Sequence, residues 1–285
     1  MTVLDTRVRP QIERTARTRH YVMCRPDHFT VEYAINPFMD PSVPVDQSRA
    51  MLQWEVLRNT YLSLGHRVDV VEPLPGQPDM VFSANGGLTV GSRTYGARFR
   101  FPQRAAEGAA FTDWLRAQGL QVTEPTHTNE GEGDFLALSR MILAGTGFRT
   151  SIQAHIEAAE VLDRPVVSLE LVDPRFYHLD VAIAILDDGS GETPADIAYL
   201  PEAFSRHSRR TLRDLFPHAL EVSLDEALVL GLNAVSDGRN VVLPTQAPRF
   251  AADLADRGYT PVPVDLSEFL KSGGSVKCCT MERHR

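Results

Sequence analysis

The feature that most constrains this chain is a recurrence: five times a helix-patterned stretch runs into a short strand rich in Val and Leu. Apolar residues at helical spacing predict a helix over Val45 to Leu64, with Met51, Leu52, Val56, Leu57 and Tyr61 on one stripe and Gly65 ending it. Further helices are expected at Ala105 to Gln118 (Phe111, Trp114 and Leu115 inward), at Ile152 to Leu162, from Pro201 onward (Phe204, Leu212 and Leu215 inward), and at Phe250 to Asp256. The strands expected after them are Arg67 to Val71, Leu120 to Val122, Val166 to Leu171, Ala219 to Val222 and Val262 to Leu266, starting about every 50 residues. No residue identity accompanies this spacing, so the repeat is one of structure. Five like units with no linker between them predict one domain over 1–285, with 1–19 as an N-terminal extension.

Composition narrows the function classes. With 43% hydrophobic and 23% charged residues, a chain of this length can bury a sizeable core. The formal net charge of -8 argues against a general nucleic-acid binder, which needs clustered Lys and Arg, and mildly favours cationic ligands. No apolar run approaches the roughly 20 residues of a membrane-spanning helix, and the start, Met1-Thr2-Val3-Leu4-Asp5, lacks the pattern of a secretory leader. Three cysteines, Cys24, Cys278 and Cys279, fit neither a disulfide framework nor a zinc spacing. A reduced, cytoplasmic protein is the expectation.

The unusual chemistry sits in the loops that follow the strands. They contain Asp79-Met80-Val81-Phe82-Ser83-Ala84-Asn85-Gly86-Gly87, Asn129-Glu130-Gly131-Glu132-Gly133-Asp134, Phe176-Tyr177-His178-Leu179-Asp180, Leu232-Asn233-Ala234 and Gly273-Gly274-Ser275-Val276-Lys277-Cys278. Equivalent loops of a cyclic array face one centre, which would gather Asn85, Glu130, His178, Asp180 and Cys278 into an anionic cavity. A thiolate is a strong nucleophile whose pKa falls beside a cation or a protonated His. A His can pass a proton to a leaving amine and then take one from water. With inward carboxylates, this set suits attack on the positively charged carbon of a guanidinium.

Plainer readings stand beside that one. A cysteine is ordinarily a small buried hydrophobe, although Cys278 follows two glycines near the chain's end rather than lying in a core strand. His178 could be a satisfied half-buried side chain, and Glu130, Glu132 and Asp134 a solvated loop or a cation site with incomplete calcium-loop spacing. Arg206, Arg209 and Arg210 read as the solvated face of the fourth helix, and Ser83 lacks the surroundings of a nucleophilic serine.

Seven segments in order carry a resemblance: Cys24-Arg25-Pro26, Ile35-Asn36-Pro37, Pro78 to Asn85, Glu130 to Asp134, Gly147-Phe148-Arg149-Thr150-Ser151, Phe176 to Asp180, and Gly273 to Cys278. From about residue 20 to its end the chain resembles the guanidino-group-modifying (pentein) superfamily, which includes dimethylarginine dimethylaminohydrolase, arginine deiminase, arginine dihydrolase and amidinotransferases. The resemblance implies an α/β fold, a five-bladed α/β propeller of ββαβ modules with pseudo-fivefold symmetry. It implies Cys278 as nucleophile, His178 as acid and base, and Glu130 as the acid that fixes the His, with Glu132 a competing choice. Asp180 then matches the carboxylate that binds guanidinium nitrogens, and Arg104 and Arg149 match arginines that hold the substrate α-carboxylate. Asn36, Asp79 and Asn85 complete the expected substrate contacts.

Asn85 departs from the acid that typical dimethylargininases and deiminases carry there. Asn36, Asn85 and Asp180 together look most like the arginine dihydrolase subgroup, whose product is ornithine rather than citrulline. The implied activity is cysteine-dependent hydrolysis of arginine or an Nω-methylated arginine, leaning to the dihydrolase. Amidino transfer to an amine and a non-catalytic binding protein are the alternatives. No metal or organic cofactor is implied. The implied partner is a small cationic amino acid, and self-association is left open.

Overall fold

The computed structural model describes residues 13–284, so most of the expected N-terminal extension, including the start read as lacking a leader, lies outside the described residues. The chain builds one connectivity five times: an antiparallel pair of strands, a helix, and a third strand parallel to the second. The first unit opens with β1 (His20–Cys24), α1 (Gln47–Ser63) and β2 (Arg67–Val71). The second is β3 (Gly87–Val90), β4 (Arg93–Gly96), α2 (Ala105–Ala117) and β5 (Gln121–Thr123). The third is β6 (Phe135–Ala137), β7 (Ile142–Thr146), α3 (Ile152–Leu162) and β8 (Val166–Glu170). The fourth is β9 (Ile183–Asp187), β10 (Asp196–Tyr199), α4 (Arg206–Leu215) and β11 (Leu220–Glu221).

A short helix, α5 (Leu224–Leu228), leads to the fifth: β12 (Val235–Ser236), β13 (Asn240–Pro244), α6 (Pro248–Asp256) and β14 (Thr260–Val264). After α7 (Ser267–Leu270), the last strand, β15 (Met281–His284), returns to pair antiparallel with β1 and completes the first unit. It also runs parallel to β3, which fuses the first two units into a six-stranded sheet, whereas the other three keep separate three-stranded sheets. Mixed α/β is thus the fold class. Among the described residues no helix is long and apolar enough to cross a membrane.

Four of the five expected helices and all five expected strands fall within a few residues of their places. The fourth helix differs. Pro201–Ala203 is a separate 3-10 turn, and α4 starts only at Arg206, where the hydroxyl of Ser205 accepts from the Ser208 N–H and caps it. Phe204 is buried ahead of that helix, and Leu215 is 39% exposed rather than inward. On α1 the buried face carries Ala50, Gln53, Trp54, Leu57 and Tyr61, while Leu52 and Val56 face solvent at 63% and 52%. The 3.6-residue period selects 50, 54, 57 and 61, and Gln53 joins them because its amide is fully used by Asp265, Ser267 and the Glu268 N–H.

Of residues 13–19, three arginines tie the segment to distant units. Arg14 pairs with Asp196 and stacks on Tyr259, Arg17 pairs with Asp187 and Asp188, and Arg19 pairs with Asp188 and Glu282. The main apolar cluster takes in Tyr21, Leu57, Leu243, Phe269 and residues of β9 and β10, and two smaller clusters lie under α3 and under α2.

Candidate active site

Each unit places one polar loop immediately before its first strand. Asn85 lies in the 3-10 turn Ser83–Gly86 before β3, and Glu130 leads the turn Gly131–Gly133 before β6. His178 leads the turn Leu179–Val181 before β9, Asn233 precedes β12, and Cys278 precedes β15. Neighbouring loops bond to one another in sequence. Asn85 Nδ2 donates to the Glu130 carbonyl (3.1 Å), and Glu130 Oε2 lies 2.7 Å from Nε2 of His178. Two residues on, the Asp180 carbonyl accepts from Asn233 Nδ2, and the same amide nitrogen lies 3.1 Å from Cys278 Sγ. The Ala84 N–H donates to the Cys278 carbonyl, which returns the circuit to the loop of Asn85.

The cysteine loop requires its two glycines. Gly273 has φ +80, and a Cβ there would stand 2.8 Å from Asn36 Oδ1 and 3.0 Å from the Tyr177 hydroxyl. That close approach is what lets the Tyr177 O–H donate to the Gly273 carbonyl at 2.7 Å. A Cβ on Gly274 would sit 2.2 Å from the Phe82 ring. Cys24 and Cys279 are buried, and neither lines the cavity.

The pocket beside Cys278 is lined by Asn36, Asp79, Asn85, Arg104, Arg149, Tyr177 and Ser272 among others. Glu130, His178 and Asp180 stand directly behind this lining. The His178 ring packs on Tyr177 with centroids 4.7 Å apart, Glu130 holds Arg149, and Asp180 holds Cys278. The sequence reading expects Arg104 and Arg149 beside the inward carboxylates, and both line the cavity. Two guanidiniums share it with Asp79, which makes it complementary to a molecule carrying both charges.

The two arginines differ in what they can still bind. Arg104 is gripped by Glu107 through Nε and Nη2, and also donates to Asn85 Oδ1 and the Asp79 carbonyl, which leaves one N–H. Arg149 donates to Glu130 Oε2 and the Ile35 carbonyl and keeps three N–H groups. Its guanidinium lies 4.7 Å from the ring centroids of both Phe101 and Tyr177, which hold it flat. Asp79 accepts from Tyr33 and Ser272, and Asn36 donates to the Ser272 carbonyl and accepts from the Phe38 N–H.

Glu130 and Glu132 are separated by geometry: Glu132 turns away to Lys277, His284 and the Glu282 N–H, and Glu130 alone meets His178. Burial alone would push the Glu130 carboxyl up, but the Arg149 charge and the His178 hydrogen bond outweigh it and hold it well below the usual range. Nδ1 of His178 makes no hydrogen bond among the described residues. Cys278 lies beside a carboxylate rather than a cation. Burial, with the Asp180 carboxylate 3.2 Å away, pushes the thiol well above its ordinary value. Burial likewise raises Asp180 to about 7, and its Oδ1 is buried without a hydrogen-bond partner among the described residues.

Three supporting residues escaped sequence reasoning. Asn233 occupies the same place before its strand as Asn85, Glu130, His178 and Cys278, but nothing in its sequence surroundings marks the amide out. Tyr177 lines the cavity and stacks on Arg149. Asp134 accepts from the Leu179 and Thr150 N–H groups, fixing the loop of His178 against that of Arg149. Among the described residues no group of three or more His, Cys, Asp or Glu side chains converges as a metal site.

No protein-family model matches the chain. It is 54% identical over 282 residues to the N(G),N(G)-dimethylarginine dimethylaminohydrolase of Mycobacterium tuberculosis, covering 99% of this chain and 91% of that one. It is 36% identical over 267 residues to the bifunctional arginine dihydrolase/ornithine cyclodeaminase ArgZ of Synechocystis, covering 91% of this chain but 37% of ArgZ. The crystal structure of the N-terminal domain of ArgZ, a Cys-to-Ser variant bound to substrate, superposes with a TM-score of 0.87 at 34% identity, over 94% of this chain and 98% of that domain. The chain belongs to the pentein-type dimethylarginine dimethylaminohydrolase/arginine dihydrolase family, hydrolases acting on guanidino C–N bonds.

Proposed function

We propose that this chain hydrolyses the guanidino group of free arginine to ornithine, ammonia and carbon dioxide, using Cys278 as nucleophile. The observation that carries the reading is the pairing of the Cys278 thiol with Asp180, whose second oxygen is buried and unpartnered. A guanidinium N–H satisfies that oxygen, and its positive charge favours the ionised forms of both neighbours. The three free N–H groups of Arg149 suit the substrate α-carboxylate.

The thiolate attacks the guanidinium carbon, and His178, oriented by Glu130, protonates the departing ammonia to leave an amidino-thioether. The same His then takes a proton from water, whose oxygen displaces the sulfur and gives the ureido group of citrulline. In a second round the thiolate attacks that ureido carbon and the remaining terminal nitrogen leaves as ammonia, and water then takes the carbon off as carbon dioxide and frees the δ-amine of ornithine. Asn85 favours this round, because a neutral amide beside the cavity tolerates an uncharged ureido group better than a carboxylate does. The catalytic unit is a single domain over 1–285 with five ββαβ blades in a pseudo-fivefold α/β propeller, a reading supported by the five repeated units and the closed circuit of loop contacts. Its setting is the reducing cytoplasm, in keeping with three unpaired thiols.

A second reading, hydrolysis of asymmetric dimethylarginine to citrulline and dimethylamine, is favoured by the 54% identity to the mycobacterial relative. Incubation with arginine and with dimethylarginine, followed by quantification of ornithine, citrulline, ammonia and dimethylamine, separates the two. Ornithine from arginine supports the dihydrolase; dimethylamine with citrulline as end product overturns it. Full activity in Cys278→Ser would sink both.

A further inference from the structure

We infer that Asn233 is a thiolate-stabilising residue of the site, holding the Cys278 sulfur in place and donating to it through the reaction. Its side chain is fully buried and uses its entire hydrogen-bonding capacity. Oδ1 accepts from the Ser275 N–H (3.1 Å) and the Cys278 N–H (3.0 Å), while Nδ2 donates to the Asp180 carbonyl (3.1 Å) and to Cys278 Sγ (3.1 Å). The orientation of the amide is forced, because two backbone N–H groups can only meet its oxygen. Its backbone carbonyl also accepts from the Lys277 N–H. One residue therefore folds the turn 275–278, fixes the sulfur, and links it to the loop of Asp180.

The two bonds to sulfur have different fates. The thiol donates to Asp180 Oδ2, and that bond ends when the proton leaves and a cation takes the carboxylate. The Asn233 bond runs the other way, from N–H to sulfur, so it strengthens as the thiolate forms. Such a donor lowers the thiol pKa relative to a site without it, against the upward push of burial.

This inference rests on the reading of Cys278 as nucleophile. Its test uses Asn233→Asp, which keeps an oxygen for the Ser275 and Cys278 N–H groups but removes the donor to sulfur, with Asn233→Ala as a second variant. The first readout is the pH dependence of Cys278 alkylation by iodoacetamide, followed by mass spectrometry of the peptide. The expected result in Asn233→Asp is a profile moved up by a pH unit or more. The second readout is arginine turnover, expected to lose roughly tenfold to a hundredfold in kcat with KM changed little, the worth of a hydrogen bond to a charged group. In Asn233→Ala the same upward shift is expected, together with a lower unfolding midpoint from the two orphaned N–H groups. An unmoved alkylation profile in folded Asn233→Ala, which removes the donor without adding a charge beside the sulfur, or kcat within twofold of the parent in either variant, overturns the inference. Loss of activity in Cys278→Ser alongside an active Asn233→Asp would sink this inference alone, whereas an active Cys278→Ser would sink the reading beneath it.

Discussion

Oδ2 of Asp180 lies 3.2 Å from Sγ of Cys278, with the sulfur as donor, so the acid and the thiol hold a proton between them, both side chains buried. Burial pushes the carboxyl up to about 7. Cation capture needs the ionised form, so kcat/KM should rise with pH through about 7 in the free enzyme. Asp180→Asn should abolish that limb and cost about a hundredfold or more in kcat/KM. A profile between pH 5 and 9 checks both, and an unchanged acid limb in the variant would assign it to another group.

The same shift acts on stability. The folded Asp180 binds its proton more tightly than the unfolded chain does, so its contribution is favourable at low pH and is lost as pH rises from about 4 to about 7. Asp180→Asn should therefore melt at a higher temperature than the parent at pH 8, with the gain shrinking toward pH 4. Thermal scans at the two pH values measure it. A variant that is less stable at pH 8 would mean that the pairing with Cys278 outweighs the desolvated charge.

Glu130 Oε2 accepts from both His178 Nε2 and Arg149 Nη1, each at 2.7 Å, with all three side chains buried. Glu130→Gln keeps the shape but leaves the Arg149 charge uncompensated, a loss on the order of 3–5 kcal/mol when a buried pair is broken from one side. Urea titration should show that loss, and kcat should fall because His178 loses the partner that sets its tautomer. Glu132→Gln should spare kcat by comparison, because Glu132 serves Lys277 and His284 instead.

Much of this architecture was legible in the sequence because its signals are local. Helix periodicity placed α1, α2, α3 and α6, with Gly65, Gly119 and Gly258 just past the ends of α1, α2 and α6, and the Val-rich runs after them placed the parallel strands. The short first strands of the units, such as Val235–Ser236 and Phe135–Ala137, gave no periodic signal at two or three residues. Leu215 and Leu52 misled because apolar character alone does not fix which side of a helix is covered. The loops carrying Glu130, His178 and Cys278 stood out by residue type. The role of Asn233 did not, because an amide has no distinctive chemistry until its four partners are known. Nor could sequence show that Arg104 spends its fork on Glu107 three residues later, or that the thiol lies beside a carboxylate that raises its pKa.

The glycine pair before the nucleophile offers the sharpest packing test. A Cβ on Gly274 would lie 2.2 Å from Cε1 and 2.6 Å from Cδ1 of Phe82, a ring held edge-to-face against Phe29 and Phe269. Neither the ring nor the cysteine turn can yield without disturbing the cavity wall, so Gly274→Ala should destabilise the fold by about 1–3 kcal/mol and reduce turnover. Phe82→Leu removes the obstructing ring edge at its own cost of lost packing. If the clash is the cause, the double variant should be more stable than the sum of the two single losses predicts, with a coupling on the order of 1 kcal/mol. Strict additivity in urea titrations of the four proteins would place the strain in the backbone of the turn instead of against Phe82.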